Sequence, residues 1–354
     1  MALIKTNARG QSSNLGRRNL IINGAMNVAQ RGTSFSPPSD GGYVVDRFHQ
    51  YQGGGGVFYY EQSTDAPLGF SNSLKITVNT ADSSIASGDY YYMRYEAEGL
   101  DCSRLSLGTS DAQKFTLSFY VKSSLTGTFS GAFQNAATNR SYVFEYTINS
   151  ANTWERKTVT VDGDTSGTWL TNNSVGLRVA FDLGNGSSLR SSAGSWASSG
   201  NYGSTGSVEL VGTASATLYI TGVQLEVGDT ATDFEHRSYA EELSACQRYY
   251  YRHGDFDDRK VIAQSYRTST TEVEGVVTFP TTMRTGPSLV ATSGTNYYRD
   301  YWAANGTNLS TVTAGELGTN TAILRWTGHP RTAGDSGYMR TNNAGATLDF
   351  DAEM

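Results

Sequence analysis

Residues able to do covalent chemistry are few in this chain of 354 residues. It has two cysteines, Cys102 and Cys246, and four histidines. The spacings of a phosphate-binding loop, a Rossmann glycine fingerprint, HExxH, GxSxG and CxxC do not occur. The run Gly53–Gly56 lacks the Lys-Ser/Thr pair that follows a phosphate loop, so it is interpreted as a flexible connector between strands. Two thiols cannot form a disulfide framework, and both are expected to be reduced. The sequence therefore predicts no cofactor and identifies no metal-ligating residues.

Carboxylates could still do chemistry, because hydrolysis of a glycosidic bond needs only two of them in one cleft. The candidates in or beside predicted strands are Asp46, Glu61, Glu96, Glu98, Asp182, Glu226 and Glu235. None lies in a hydrolase motif. We therefore predict that the protein is not an enzyme. A Ser/His/Asp triad is defined by geometry and stays open at this stage.

Aromatic residues are the stronger signal, with 22 tyrosines, 14 phenylalanines and 5 tryptophans. Adjacent residues of a strand face opposite sides, so part of a run such as Tyr90–Tyr92 must lie outside the core. An exposed ring with a polar edge suits stacking on a sugar or packing at a protein interface, although tyrosine is also a common strand residue. The candidate glycan-binding residues are Trp196, Tyr202, Tyr298 and Trp302.

The elements that must position these rings are mostly strands. In Lys114–Lys122 the apolar residues Phe115, Leu117, Phe119 and Val121 alternate with others, which is typical of a half-buried antiparallel strand. Short strands of this kind, separated by Gly, Ser, Asn and Asp, predict an all-β fold with a jelly-roll β-sandwich over residues 19–235.

The segment 184–207 contains 15 Gly or Ser in 24 residues and is interpreted as a long loop within the sandwich. It carries Trp196 and Tyr202. An aromatic residue in such a loop is either fixed in a core or available to a ligand.

A short connecting helix is predicted within 236–252. Ser238 and Glu241 have the spacing of a capping box, and Tyr239, Leu243, Cys246 and Tyr250 would share one face. Strand patterns return after it, so residues 253–354 are predicted to form a smaller C-terminal β-sandwich.

Residues 1–18 are predicted to be a basic N-terminal anchoring arm. They contain Lys5, Arg9, Arg17 and Arg18, and the first acidic residue is Asp40, in a protein of net charge −6. Such an arm would dock onto an acidic surface of a partner or a neighbouring subunit. The acidic balance of the whole chain argues against general nucleic-acid binding. No apolar run of the length needed for membrane insertion occurs, and no secretion-signal core is present, so synthesis in a cytoplasm is expected.

Two stretches carry a family resemblance. The first is Asn19–Thr33 (NLIINGAMNVAQRGT) with Tyr43–Phe48 (YVVDRF), and the second is Leu218–Tyr239 (LYITGVQLEVGDTATDFEHRSY), which continues into Glu241–Tyr250 (EELSACQRYY). Together they resemble bacteriophage virion proteins of the tail-fibre or receptor-binding type, notably those of marine and cyanobacterial phages. The ends, MALIKTN and LDFDAEM, resemble the same group. Residues 19–235 are also similar to carbohydrate-binding-module jelly rolls.

This resemblance implies a non-enzymatic virion appendage, commonly a homotrimer, which is assembled in the host cytoplasm. Its arm would contact other virion proteins, in a tail adaptor or the capsid, and its sandwich domains would bind a host surface glycan. A capsid decoration, cement or head-fibre protein is the alternative, and a glycan depolymerase is a third interpretation. The resemblance does not indicate which glycan is bound.

Overall fold

The structure is a computed structural model that describes residues 17–253, 259–269, 271–302, 305–327, 332 and 334–354. The chain divides into two compact units. The first comprises the described residues up to Asn27 together with Ser34–Val44 and Phe48–Arg237, and the second comprises Val28–Thr33, Val45–Arg47 and the described residues from Ser238 onward. Two short segments of the predicted domain 19–235 thus belong to the second unit.

The first unit contains fourteen strands and one short helix. The strands are β1 (Ser34–Phe35), β2 (Phe48–Gly53), β3 (Val57–Ser63), β4 (Ser73–Thr80), β5 (Tyr90–Glu98), β6 (Phe115–Ser123), β7 (Gly127–Gln134), β8 (Ser141–Ile148), β9 (Glu155–Val161), β10 (Val175–Asp182), β11 (Arg190–Ser191), β12 (Trp196–Ala197), β13 (Gly203–Ser204) and β14 (Thr217–Val227). Helix α1 (Gly99–Cys102) follows β5. The first sheet has the order β1-β3-β4-β14-β6-β9 and the second β12-β8-β7-β10-β5-β2, with antiparallel pairing throughout both. The predicted all-β class with a jelly-roll sandwich is confirmed.

The core of the sandwich lies between these two sheets. Phe115 and Phe119 of β6 are fully buried, as the alternation predicts. Phe115 meets Phe133 of β7 edge-on at 4.9 Å, and Phe119 meets Phe181 of β10 at 5.2 Å, so rings of the two sheets interdigitate. Burial of one such side chain contributes roughly 1.5–3 kcal/mol to folding.

The predicted helix exists but is shorter than expected. Helix α2 spans Tyr239–Gln247 and begins with the predicted capping box: Ser238 Oγ accepts from the backbone N–H of Glu241, and the Glu241 carboxylate accepts from that of Ser238 at 2.8 Å. The chain then enters a strand at Tyr250, so the helical interpretation of the last residues up to 252 is wrong. A strand far along the chain pairs with this segment, and β-favouring tyrosines prefer that pairing to another helical turn.

The second unit contains ten strands. They are β15 (Tyr250–Arg252), β16 (Val261–Arg267), β17 (Glu272–Thr278), β18 (Ser288–Ala291), β19 (Tyr298–Trp302), β20 (Asn305–Leu309), β21 (Thr313–Leu317), β22 (Thr321–Thr327), β23 (Ser336–Thr341) and β24 (Leu348–Asp351). One sheet has the order β15-β24-β18 and the other β20-β19-β23-β16-β17-β22-β21. Their shared core includes Trp326, Met339 and Phe350, which are at most 3% exposed.

Charged residues fix the two early segments within the second unit. The buried Arg47 guanidinium pairs with Glu353 and lies 3.5 Å from the Tyr249 ring centroid. Arg31 pairs with Glu353 at 3.4 Å. The buried Asp46 accepts from the backbone N–H of Gln30 at 2.8 Å. Removal of one partner from a buried ion pair is strongly destabilising, so these contacts hold the segments firmly.

We predict that His253 makes the second unit sensitive to acid. Its Nε2–H donates to Ile262 O at 2.7 Å, and its Nδ1 lies 2.7 Å from Tyr251 Oη, where either atom can be the donor. Burial lowers the pKa of His253. In the unfolded chain the His253 ring binds a proton at about pH 6.5, whereas in the folded chain it binds one only at lower pH. The free energy of unfolding therefore falls as the pH drops below that value.

The measurement is thermal melting of the wild type and of His253→Gln between about pH 7.5 and 5.5. The wild type is expected to lose more stability over this interval than the variant. Equal losses in the two proteins would contradict the role given to His253.

Candidate functional site

The run Tyr90–Tyr92 divides between the two faces of β5. Tyr91 is fully buried, and its hydroxyl donates to Asp82 at 2.8 Å. Tyr90 and Tyr92 therefore lie on the outer face of the second sheet, as successive strand residues must. The prediction that part of this run lies outside the core is confirmed.

Four tyrosines cluster on this outer face, where Tyr92 is only 6% exposed because it lies between two of the others. Tyr51 of β2 is the register partner of Tyr92 and stacks on it with centroids 4.8 Å apart. Tyr202 stacks on the other side of Tyr92 at 4.2 Å. Tyr43 stacks on His49 at 4.6 Å, and His49 meets Tyr51 edge-on at 5.1 Å. We call Tyr43, Tyr51, Tyr92 and Tyr202 the tyrosine face.

The loop 184–207 brings Tyr202 onto this face. Its strands β11 and β13 pair in parallel, with Arg190 opposite Gly203. The backbone N–H of Tyr202 donates to Leu189 O at 2.8 Å. The glycine- and serine-rich loop is thus folded on itself, and its aromatic residue is held against the sheet.

One buried carboxylate fixes this loop. Asp182, at the end of β10, accepts from the backbone N–H and the side-chain amide of Asn185, each at 2.8 Å. It also accepts from Ser130 Oγ and Ser207 Oγ at 3.1 Å and pairs with Arg190 at 3.1 Å. Asp182 therefore ties both ends of the loop to the second sheet.

A charged cluster lies beside the tyrosines on the same face. Glu96 is 2% exposed and pairs with Arg94 at 3.1 Å and Arg178 at 2.6 Å. His49 Nε2 lies 3.8 Å from Glu96, and Arg94 donates from Nη2 to Tyr51 Oη at 2.6 Å. The Arg94 guanidinium lies 4.4 Å from the Tyr51 ring centroid, a cation–π distance.

Burial raises the pKa of Tyr51 and of Tyr92, so both phenols keep their protons at neutral pH. Burial alone would lower the pKa of Arg94, but the adjacent Glu96 carboxylate raises it. The two hydroxyls are therefore neutral, and the buried Arg94 beside them is a permanent cation.

Flat rings beside hydroxyls and guanidinium donors can hold a ligand with an apolar face and hydroxyl edges. Tyr43, Tyr51, Tyr202 and Arg178 are half-buried, so each keeps some surface for such a ligand. Arg178 also donates to Ala136 O at 2.8 Å, which orients its guanidinium. The arrangement is suited to binding, because the Glu96 carboxylate is already paired with Arg94 and Arg178.

The predicted residues of the loop have different positions. Tyr202 belongs to the tyrosine face. Trp196 is half-buried at the edge of the second sheet, where its Nε1–H donates to Asp162 O at 2.7 Å. It meets Trp169 and Tyr142 edge-on, each at 5.4 Å. Trp196 thus anchors the loop to the sheet edge.

The structure does not support Tyr298 as a glycan-binding residue. It is fully buried in the core of the second unit, and its hydroxyl donates to Thr292 O at 2.9 Å or Thr347 O at 2.8 Å. No part of the ring can reach a ligand, so this interpretation is wrong. Trp302 ends β19 and is half-buried.

Two residues of the predicted arm contact their own chain. Arg18 pairs with the buried Glu226 at 3.6 Å, and Arg17 lies 4.0 Å from Asp101. Arg17 and Arg18 therefore contribute to the first unit as well as to any partner contact. Lys5 and Arg9 lie outside the described residues.

Tyr51, Arg94 and Arg178 are not among the binding residues predicted from the sequence. Alternation in Phe48–Gly53 and Tyr90–Glu98 indicates which residues share a face, but it does not show that these two strands are neighbours. That pairing would have placed Tyr51 next to Tyr92.

The remaining chemistry is sparse. Among the described residues, no group of three or more His, Cys, Asp or Glu side chains could hold a metal ion. No helix of the described chain is long and apolar enough to cross a membrane. Cys102 and Cys246 are both buried, and burial raises the pKa of each thiol.

No protein-family profile and no curated protein matches this chain. Among solved structures, it is similar to the enzymatically active domain of tailspike protein 4 of bacteriophage CBA120, with 18% identity over 60% of this chain and a TM-score of 0.34. The match covers 22% of that protein, so this chain corresponds to about a fifth of it.

Two carbohydrate-binding modules are also similar. The family 11 module of the cellulosomal cellulase Lic26A-Cel5E of Clostridium thermocellum has 14% identity and a TM-score of 0.28, over 57% of this chain and 98% of the module. The module TmCBM61, in complex with β-1,4-galactotriose, has 8% identity and a TM-score of 0.30, over 60% of this chain and 100% of the module. Likenesses at these values carry no inference about function.

We predict that Gly203→Ala will disrupt the loop that carries Tyr202. A Cβ atom at Gly203 would lie 1.9 Å from Asp182 Oδ2, and the buried carboxylate cannot move without losing its partners. The expected loss is about 1–3 kcal/mol in the free energy of unfolding. Gly88→Ala is the control, because a Cβ atom there meets open space.

Chemical denaturation of the two variants measures this difference. The control is expected to stay within about 0.5 kcal/mol of the wild type. Equal stability of Gly203→Ala and the wild type would show that Asp182 does not hold the loop as described.

Proposed function

We propose that this protein is a non-enzymatic structural component of a bacteriophage particle, a tail fibre or similar appendage, that binds a host surface glycan on the tyrosine face. The observation that carries the binding proposal is the stack of Tyr51, Tyr92 and Tyr202 beside Arg94 and Arg178. The virion role is supported by the sequence resemblance of Asn19–Thr33 and Leu218–Tyr239.

The chemistry of a sugar matches this face. A pyranose ring has an apolar side formed by its C–H groups, which packs on an aromatic ring, and a hydroxyl edge that needs donors and acceptors. Tyr51 and Tyr202 offer rings on either side of Tyr92. The hydroxyls of the half-buried Tyr51 and Tyr202 and the half-buried Arg178 guanidinium supply polar groups for the hydroxyl edge.

The carboxylates considered for hydrolysis have structural partners, which supports binding without catalysis. Glu96 pairs with two arginines, and Asp182 holds the loop. Glu226 accepts from the backbone N–H of Thr232 at 2.9 Å. Glu235 accepts from the backbone N–H groups of Arg18 and Asn19, and these bonds and its neighbouring arginine outweigh the effect of burial and lower its pKa.

A homotrimer would strengthen such binding. A single shallow site on a surface is expected to bind weakly, whereas linked sites on one particle raise the overall avidity by about 10²–10⁴. We place the protein in the virion, after assembly in the host cytoplasm, with contacts to other virion proteins through residues 1–18.

The binding proposal is tested with Tyr51→Ala and Tyr202→Ala. Each is expected to weaken binding roughly tenfold, because each removes one stacking ring. The ligand is first selected on an array of bacterial surface oligosaccharides, and its affinity is then measured by calorimetry. Tyr239→Ala is the matched control, since Tyr239 is 60% exposed but lies on α2, in the second unit.

Thermal melting confirms that each variant is folded. Unchanged affinity in both folded tyrosine variants would refute the site. Release of reducing sugars from a bound oligosaccharide would refute the non-enzymatic part of the proposal.

The anchoring role is tested by deletion of residues 1–16, which leaves the contacts of Arg17 and Arg18 in place. The truncated protein should fold, as judged by its melting temperature, but should be absent from purified particles. Its presence at the wild-type level in particles would refute the anchor.

A further inference from the structure

The outer face of the seven-stranded sheet in the second unit is a second aromatic surface. Four of its side chains are large, partly apolar and between 41% and 58% exposed: Tyr338, Tyr266, Val276 and Val261. They belong to β16, β17 and β23, which are adjacent in the sheet. A groove of about 760 Å³ runs over these strands and is lined in part by Tyr266, Val276 and Tyr338.

One end of this face holds an unusual pair of cations. Arg299 of β19 and Arg340 of β23 are register partners, so their side chains project from the same face as direct neighbours. Both guanidinium groups lie 4.7 Å from the Tyr301 ring centroid, and the Tyr301 ring stacks on Tyr338 at 5.3 Å. Like charges directly opposite one another across two strands are destabilising.

No carboxylate among the described residues forms an ion pair with either arginine. The Nε–H groups of Arg299 and Arg340 are buried and have no hydrogen-bond partner, and Arg340 donates from Nη2 to Tyr301 Oη at 2.6 Å. The opposite end of the face differs, because Arg325 pairs there with Glu272 at 2.9 Å and with Glu274 at 2.7 Å. Within the described part of this face, the positive charge without a carboxylate partner is therefore concentrated around Tyr301.

We infer that this face binds an anionic saccharide, with the acidic group at Arg299 and Arg340 and a sugar ring on the exposed side of Tyr338. Guanidinium groups form strong bidentate bonds with carboxylate and sulfate-like oxyanions. The groove of about 760 Å³ has room for an oligosaccharide. Gln264 and Ser336, which also line the groove, supply polar groups for hydroxyls.

This site deepens the proposed glycan-binding function by naming a ligand class, but it shares no residue with the tyrosine face. The two sites can therefore fail independently. Loss of binding in Tyr51→Ala or Tyr202→Ala reports on the first unit. Loss of binding in variants of Arg299 or Arg340 reports on the second.

The test uses the full chain and three trisaccharides of equal length: trigalacturonate, sulfated galactotriose and neutral galactotriose. Calorimetry should show that at least one of the two anionic probes binds about tenfold or more tightly than the neutral probe, with an affinity that falls as salt is added. Tighter binding of trigalacturonate would indicate a carboxylate ligand, and tighter binding of the sulfated sugar would indicate a sulfate ligand.

The double variant Arg299→Gln, Arg340→Gln is expected to lose this preference, with anionic affinity falling about tenfold. The matched control Arg299→Lys, Arg340→Lys keeps both charges but not the bidentate donors, so it should retain more of this preference than the glutamine variant. The melting temperature of each variant checks folding. Equal affinity for anionic and neutral probes, or an unchanged preference in the folded glutamine variant, would overturn the inference.

Discussion

The buried carboxylate of Asp182 is the interaction on which the proposed binding surface depends. A loop rich in glycine and serine has a large conformational entropy, and it can hold an aromatic ring in place only if strong contacts restrict it. Asp182 supplies these contacts from the end of β10, through Asn185, Ser207 and Arg190. Since Tyr202 lies within the restricted loop, its stacking on Tyr92 follows from this hydrogen-bonded centre.

The two units use related chemistry in different ways. On the first unit the arginines next to the tyrosines are balanced by Glu96, so the face suits a ligand rich in hydroxyls. On the second unit Arg299 and Arg340 lie over the ring of Tyr301 and have no ion-pair partner among the described residues, so that face suits a ligand with its own negative charge.

Much of the fold could be predicted from the local sequence pattern, whereas the candidate binding site could be predicted only in part. Alternation identified the core of β6, and the capping box identified the start of α2. The division of Tyr90–Tyr92 between two faces also follows from alternation. Alternation does not show which strands are neighbours. For this reason the contact between Tyr51 and Tyr92 was not predicted, and Tyr298 was predicted to lie on a surface. Tyr298 lies next to Tyr297 in the sequence, but its side chain is on the inner face of the sheet and is buried in the core.

The most direct test of the central claim is a crystal structure of the protein with a bound oligosaccharide selected from the array. We expect a sugar ring within about 4 Å of the ring of Tyr51 or Tyr202, with a hydroxyl or ring oxygen in hydrogen-bond contact with Arg94 or Arg178. A saccharide bound to the first unit away from these residues would refute the proposed site, as would a tyrosine face that stays free of sugar in crystals of a confirmed complex.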